Sequence, residues 1–514
     1  MAESAPTYSR PLGLTEASYF LPSREDGAND LGLHLGFTAP LAITVQSRVQ
    51  LVWALLRLRH PLLAARVDMH DYDDIRFVYT CPASPQDAVR ETANALQYRP
   101  ACSKDEFVDN FVLGPRILSN ERLSFLYISR PGDVTAPLQT PTPCEEKEGY
   151  DFEHAQHELM ICTTHYLADG IAIHQLTNDF STLLGGQLNE SELMSLVARE
   201  WEAQYKKTAQ NTALPASLED RLPATPRSKF QEAALRVDYE NTQRKQIGGQ
   251  VFPRQRGKPR RTTCRVVALD ESRTIHILKA CKDHKVSLPC VLFALCNIAW
   301  IRTSSSKGEL PALFYSAMSL RTNFVAEKAI HDSYLSVAIG YFNITLPSFM
   351  LRSLQPSSTF WYRARQTKSQ ISAAIKSPML IARSQNMALE RADRAKAFAK
   401  EDDAKAAGIW SPPATPRVEK KEPAPFKAPS AALLGISCLG SLDSIYKHNQ
   451  FGAIKLNWVT SGLRQRAGGM MLFSYTFLDK LWLNMTFDEN GYEKASFDAF
   501  WANVLSGMDE FIGV

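Results

Sequence analysis

The segment Leu159-Met160-Ile161-Cys162-Thr163-Thr164-His165-Tyr166-Leu167-Ala168-Asp169-Gly170 is the most informative juncture in the chain. Leu159 to Thr164 is a short apolar run of the kind that forms a buried strand, and it runs directly into His, Asp and Gly. A strand end fixes an imidazole near a domain surface. Histidine titrates near ~6.5, so its neutral form is present at pH 7 to accept a proton. An alcohol is a poor nucleophile until its proton leaves, which makes a positioned imidazole what acyl transfer needs. Asp169 precedes a helix that begins near Gly170, where its carboxylate accepts backbone N–H bonds and meets the positive end of the helix dipole. Gly170 removes a side chain where a substrate needs close approach. On spacing alone, a core histidine beside an aspartate cap accounts for the pattern equally well.

Working outward, Ile173, Leu176, Phe180 and Leu183 mark one face of the following helix, with Gly185-Gly186 as its stop, and a second helix covers 191–206. Upstream, Val45, Val49, Val52, Trp53 and Leu56 define a helix within 42–60 that His60-Pro61 ends. Leu62 to Val67 reads as a strand with Ile75 to Tyr79 as its hairpin partner, and 135–150 as a polar loop. Residues 208–262 read as a long connection whose most basic part is 253–261, a solvated linker. Beyond it come a strand at 263–269 and helices at 271–284 and 287–301, the second capped by Ser287. Strands at 313–319 and 336–346 and a helix at 358–376 follow. Strands at 454–459, 470–476 and 480–487 precede a closing helix at 496–512. Residues 392–430, rich in Arg, Lys, Asp and Ala and then in proline, are predicted to form an exposed, partly disordered insertion.

A chain of 514 residues exceeds one ordinary core, so two lobes are expected. With 45% hydrophobic and 22% charged residues, the composition is that of a soluble globular protein. The net charge of +4 gives no reason to expect nucleic acid or membrane as partner. Nine cysteines without a CxxC pair, several inside apolar runs, read as reduced thiols. The first ten residues lack an apolar signal core, and no apolar run approaches ~18 residues, so a cytoplasmic protein is expected. His154 and His157 have no third ligand at metalloprotease spacing, so no metal is expected. His174 reads as a helix-surface or core residue. Neither a GxSxG elbow nor a phosphate-binding GxxxxGK[ST] loop occurs.

His165-x-x-x-Asp169-Gly170 resembles the HxxxDG signature of the CoA-dependent acyltransferase superfamily, which includes BAHD acyltransferases, condensation domains, and fungal alcohol and trichothecene O-acetyltransferases. His60-Pro61-Leu62-Leu63 with Arg66, the stretch 214–220, Ser319-Leu320-Arg321, Ile339-Gly340-Tyr341-Phe342-Asn343 and Phe473-Ser474-Tyr475 resemble further segments in the same order. The sequence departs in three places. Thr164 stands where condensation domains often carry a first histidine, the BAHD signature DFGWG is absent, and Leu184-Gly185-Gly186-Gln187 is followed by Leu188 rather than the serine of a carrier arm. The resemblance is therefore nearest to the fungal acetyltransferases.

That resemblance implies an α/β fold of two chloramphenicol-acetyltransferase-like lobes, 1–207 and 263–514, joined by a crossover linker at 208–262, with a tunnel between them. It implies His165 as general base, and Asp169 turned away to pair with Arg321 of the second lobe. The oxyanion or substrate contacts it suggests are Asn343 and Ser437, although Ser437 also reads as a turn residue. It implies no cofactor beyond acyl-CoA, most simply acetyl-CoA, as co-substrate. The acceptor would be a small-molecule alcohol such as a terpenoid, and a monomer would suffice. Amide or ester condensation on carrier-bound thioesters, and a non-catalytic binding member of the fold, are the other two readings.

Overall fold

The computed structural model describes residues 5–100, 103–130, 154–207, 213–224, 228–305, 308–325, 333–350, 355–412 and 428–513. The loop expected at 135–150 lies outside them. The first half of the chain contributes β1 (Thr7–Pro11), α1 (Leu14–Ser23), β2 (Leu31–Ala39), α2 (Gln46–Arg59), β3 (Arg66–Met69), β4 (Ile75–Thr80), α3 (Pro85–Glu91), β5 (Leu96–Pro100), α4 (Lys104–Leu113), β6 (Ser124–Arg130), β7 (Ala155–Thr163), α5 (Gly170–Gly185) and α6 (Glu190–Tyr205). After α7 (Leu218–Arg221) and α8 (Lys229–Arg244) come β8 (Thr262–Leu269), α9 (Glu271–Asp283), α10 (Leu288–Thr303), β9 (Ala312–Ser319), β10 (Ile339–Leu346), α11 (Pro356–Ile375), α12 (Leu380–Ala406), β11 (Ala432–Ser441), β12 (Lys455–Leu463), β13 (Met470–Phe477), β14 (Lys480–Asp488) and α13 (Lys494–Ile512).

Two mixed sheets organise the molecule. A five-stranded sheet has the order β12-β2-β7-β6-β5, a six-stranded sheet the order β10-β9-β11-β13-β14-β8, and a small sheet β1-β4-β3 flanks the first. Each large sheet packs helices over its own core. Trp53, Leu56, Leu159, Ile161 and Phe180 belong to the first, and Phe293, Trp300, Phe314, Leu483 and Phe500 to the second. The apolar runs noted in the sequence are the central strands. β14 is buried along its length after Lys480, because sheet neighbours and helices cover both of its faces.

One strand of the C-terminal half crosses to the first sheet. β12, from the C-terminal half, pairs antiparallel with β2, with Val459 opposite Leu35 and Leu463 opposite Leu31. The first sheet is therefore completed by a strand more than four hundred residues downstream of its partner. Gly36 permits this pairing at one point. A Cβ there would lie 2.1 Å from the Trp458 ring, so the indole of β12 occupies the space a side chain of β2 would fill.

Two expectations, at 62–65 and 392–406, are corrected. Pro61–Ala64 forms a turn of 3₁₀ helix, the proline at its start presetting φ, and the strand begins only at Arg66. The 208–262 connection holds α7 and α8; its basic run is exposed along nearly all its length, as a solvated linker would be, with Arg254 donating to Gly468 O and Arg260 to Gln465 O. Residues 392–406 are the second half of α12, not a disordered insertion, whereas 413–427 lie outside the described residues. Ala388, Ala392, Ala395 and Ala399 repeat at helical spacing and are buried, which lets α12 approach α1 closely. Arg24 meets Asp403 at 2.9 Å, Arg383 meets Asp238 at 2.8 Å, and Lys396 meets Asp73. The charges that suggested a solvated segment pair across to neighbouring elements.

Candidate active site

β7 ends at Thr163, and the chain turns sharply as Thr164 N–H donates to Leu123 O at 3.1 Å and Leu167 N–H to Thr164 O at 3.1 Å. His165 sits on this turn with its side chain partly exposed, while Tyr166, Leu167 and Ala168 beside it are buried. Its ring stacks on Tyr19 of α1, centroids 4.1 Å apart and planes 20° from parallel. Nδ1 is buried without a hydrogen-bond partner. Burial pushes the imidazole down to about 4, and the nearby Arg391 cation adds to this, against the opposing pull of backbone groups at 165 and 168 and of the Asp169 carboxylate. The ring is therefore neutral across the physiological range.

Asp169 caps α5, its Oδ1 accepting from Ala172 N–H at 3.0 Å. Its Oδ2 turns to the second sheet and accepts from Arg321 Nη1 at 2.7 Å and from Ala338 N–H at 2.9 Å. Arg321 Nη2 donates onward to Ser336 O at 2.9 Å. Asp169 is only 2% exposed, so one buried carboxylate ties the His165 turn to the segments flanking β9 and β10. Gly170 also has a packing role at the start of α5. A Cβ there would meet Leu439 of β11 at 3.1 Å, so that space is already taken.

The two residues suggested as oxyanion contacts are dispersed. Asn343, on β10, donates its amide to Gln246 and lines a cavity of about 410 Å³ bounded by α8, β10, α11 and α12. Ser437 lies mid-strand in β11, paired in register with Phe473 of β13, not in a turn. Among the described residues neither shares a hydrogen bond with His165. His174 is a core residue 1% exposed, bonded to Tyr446 Oη at 2.9 Å, and His157 faces the backbone carbonyls of Ser129 and Ala39.

The site also contains residues that the sequence did not single out. Tyr19 Oη and Tyr341 Oη are hydrogen-bonded, and the Arg391 guanidinium lies 4.3 Å from the Tyr341 ring centroid and 5.4 Å from that of Tyr19. Tyr341 also lines the cavity, so His165, Tyr19, Tyr341 and the cavity form one connected row. Tyr341 fell within a quoted segment. Tyr19 and Arg391 carry no local signal, because each reaches the site only through the packing of α1 and α12.

No protein-family model and no curated protein matches the sequence. Solved structures do match the fold. The trichothecene 15-O-acetyltransferase of Fusarium sporotrichioides superposes with a TM-score of 0.73 at 14% identity, covering 98% of this chain and 96% of that one. The condensation domain of the monacolin K polyketide synthase gives a TM-score of 0.57 at 14% identity, covering 99% and 98%. An epimerization domain of tyrocidine synthetase gives 0.55 at 11% identity, covering 100% and 99%. The fold is that of the condensation-domain-like acyltransferases. The likeness covers 98% or more of this chain in each of the three, so it is one of overall architecture. No single helix among the described residues is long and apolar enough to cross a membrane.

The buried histidines set a pH dependence. Burial pushes His60 to about 4, His165 to about 4 and His174 to about 3, from an ordinary value of 6.5. Below 6.5 the unfolded chain takes up these protons and the folded chain does not, so stability is full above that pH and falls as pH drops toward 4. Asp30, which burial pushes up to about 6, works in the opposite sense. These four groups alone give a loss of about 2–3 kcal/mol per pH unit near pH 5.5, which the raised carboxyls of Glu219, Glu91 and Asp109 reduce. Urea unfolding at pH 7 and at 5 measures it, and equal stabilities at the two would show that the imidazoles are not held neutral.

Proposed function

We propose that the protein transfers an acyl group from a thioester, most simply acetyl-CoA, to the hydroxyl of a small molecule, with His165 as general base. The observation that carries this is an imidazole fixed on the turn after β7 and stacked on Tyr19, whose hydroxyl is hydrogen-bonded to Tyr341 of the cavity lining. His165 takes the acceptor proton as the oxygen attacks the thioester carbonyl. The C–O bond forms, the C–S bond breaks, and the imidazolium returns its proton to the departing thiolate. No covalent enzyme intermediate is needed. Asp169, committed to Arg321 and two backbone N–H groups, holds the turn and takes no proton.

The likeness to a trichothecene 15-O-acetyltransferase favours an alcohol acceptor of secondary metabolism, a hydroxylated terpenoid among them. The likeness to condensation domains keeps carrier-bound donors as the second reading. Incubation of the purified chain with acetyl-CoA and a hydroxylated terpenoid panel, followed by free-thiol detection, decides between them. Thiol release with a free alcohol is expected. Turnover only with carrier-protein thioesters would favour condensation, and none with either would leave a binding protein.

A further inference from the structure

Arg391 lies seven residues beyond Ser384 and four beyond Met387 on α12, so the three share one helix face. Ser384 and Met387 line the 410 Å³ cavity, and Tyr341, whose ring Arg391 covers, lines it as well. Tyr19, also under this guanidinium, stacks on His165 at 4.1 Å. The cation therefore lies over both Tyr341 of the cavity lining and Tyr19, the ring stacked on the imidazole, and the residue keeps partial exposure.

Among the described residues Arg391 forms no ion pair, although the tyrosines around it and the nearby Glu390 carboxylate favour its charge. Arg391 Nε is buried with no hydrogen-bond partner. The adjacent carboxylate, Glu390, accepts from Tyr239 Oη at 2.6 Å and from Arg394 instead, and Asp169 is occupied by Arg321. Two aromatic faces recover only part of what a guanidinium loses on leaving water. A guanidinium whose Nε is buried without an acceptor, set over a tyrosine of the cavity lining, can offer its fork of N–H donors to the two oxygens of a carboxylate.

We propose that Arg391 is a specificity-determining residue that holds a carboxylate carried by one of the two substrates. This rests on the acyl-transfer reading for which molecules occupy the site. The pantetheine arm keeps the phosphates of coenzyme A far from the thioester carbon, so the anion beside His165 belongs either to the acyl group or to the acceptor. A bound carboxylate also cancels the positive charge that opposes protonation of His165, coupling recognition to the base.

Calorimetric titration of the full chain distinguishes the two sources. Malonyl-CoA is compared with acetyl-CoA, and mandelate and 4-hydroxyphenylacetate with their methyl esters, in wild type, Arg391→Gln and Arg391→Lys. At least one carboxylate probe is expected to bind about tenfold tighter than its uncharged counterpart, with the preference lost in Arg391→Gln and partly kept in Arg391→Lys. A preference for malonyl-CoA places the carboxylate on the donor, and one for the hydroxy acids places it on the acceptor. No preference in either arm, or one that persists undiminished in Arg391→Gln, overturns the proposal. Arg391→Met, with circular dichroism melts, replaces Arg391→Gln if the latter does not fold. Thiol release is read separately. A carboxylate preference that depends on Arg391, without thiol release from any donor, would defeat the acyl-transfer reading and leave this site standing.

Discussion

Replacing His165 with alanine is expected to lower turnover by about 10²–10⁴-fold while leaving the chain folded, the usual share of a positioned general base. The fold does not depend on this imidazole. It is partly exposed, its Nδ1 has no partner, and its principal contact is the stack on Tyr19. Losing that stack costs about 1 kcal/mol, small against the stability of a chain with two large cores. His174→Ala provides the contrast. That ring is fully buried and bonded to Tyr446, so its removal lowers stability rather than removing a group from the reaction. Because the His165 imidazole titrates at about 4, kcat/KM of the wild type should stay level from pH 7.5 down to about 5.5 as long as the protein is folded. Near-normal turnover in a folded His165→Ala protein would end the proposed mechanism.

Arg321→Ala should destabilise the protein by about 3 kcal/mol or more, because it strands a carboxylate that is almost completely buried. The two backbone N–H groups on Asp169 soften the loss without cancelling the charge. Asp169→Asn is expected to cost less. The guanidinium it leaves behind is 20% exposed and keeps its bonds to the carbonyls of Tyr334 and Ser336. Since the pair fastens the His165 turn to the second sheet, both variants should also lose turnover beyond their loss of stability. A double-mutant cycle of urea unfolding tests the coupling, and additivity within about 0.5 kcal/mol would show the two residues to be independent.

The sequence by itself determined the site turn and most of the secondary structure. Leu159–Thr163 is apolar because both faces of β7 are covered, and Asp169 caps α5 through a hydrogen bond made three residues away. Such relations are local and leave a spacing in the chain. The strands at 263–269, 470–476 and 480–487 were legible for the same reason, with periodicity and turns fixing them to within a residue or two. Tertiary structure alone decided the rest. The second half of α12, residues 392–406, reads in the sequence as a partly disordered tract because alanine and charges together resemble solvated chain. Its order comes from a buried alanine stripe against α1 and from ion pairs with Arg24, Asp73 and Asp238, none of them near in sequence. β12 joins the first sheet across more than four hundred residues, with Gly36 making room for Trp458 at one position. Arg391 reaches Tyr19 and Tyr341 through the packing of α12, and no spacing within the sequence encodes its contact with Tyr19, more than three hundred positions away.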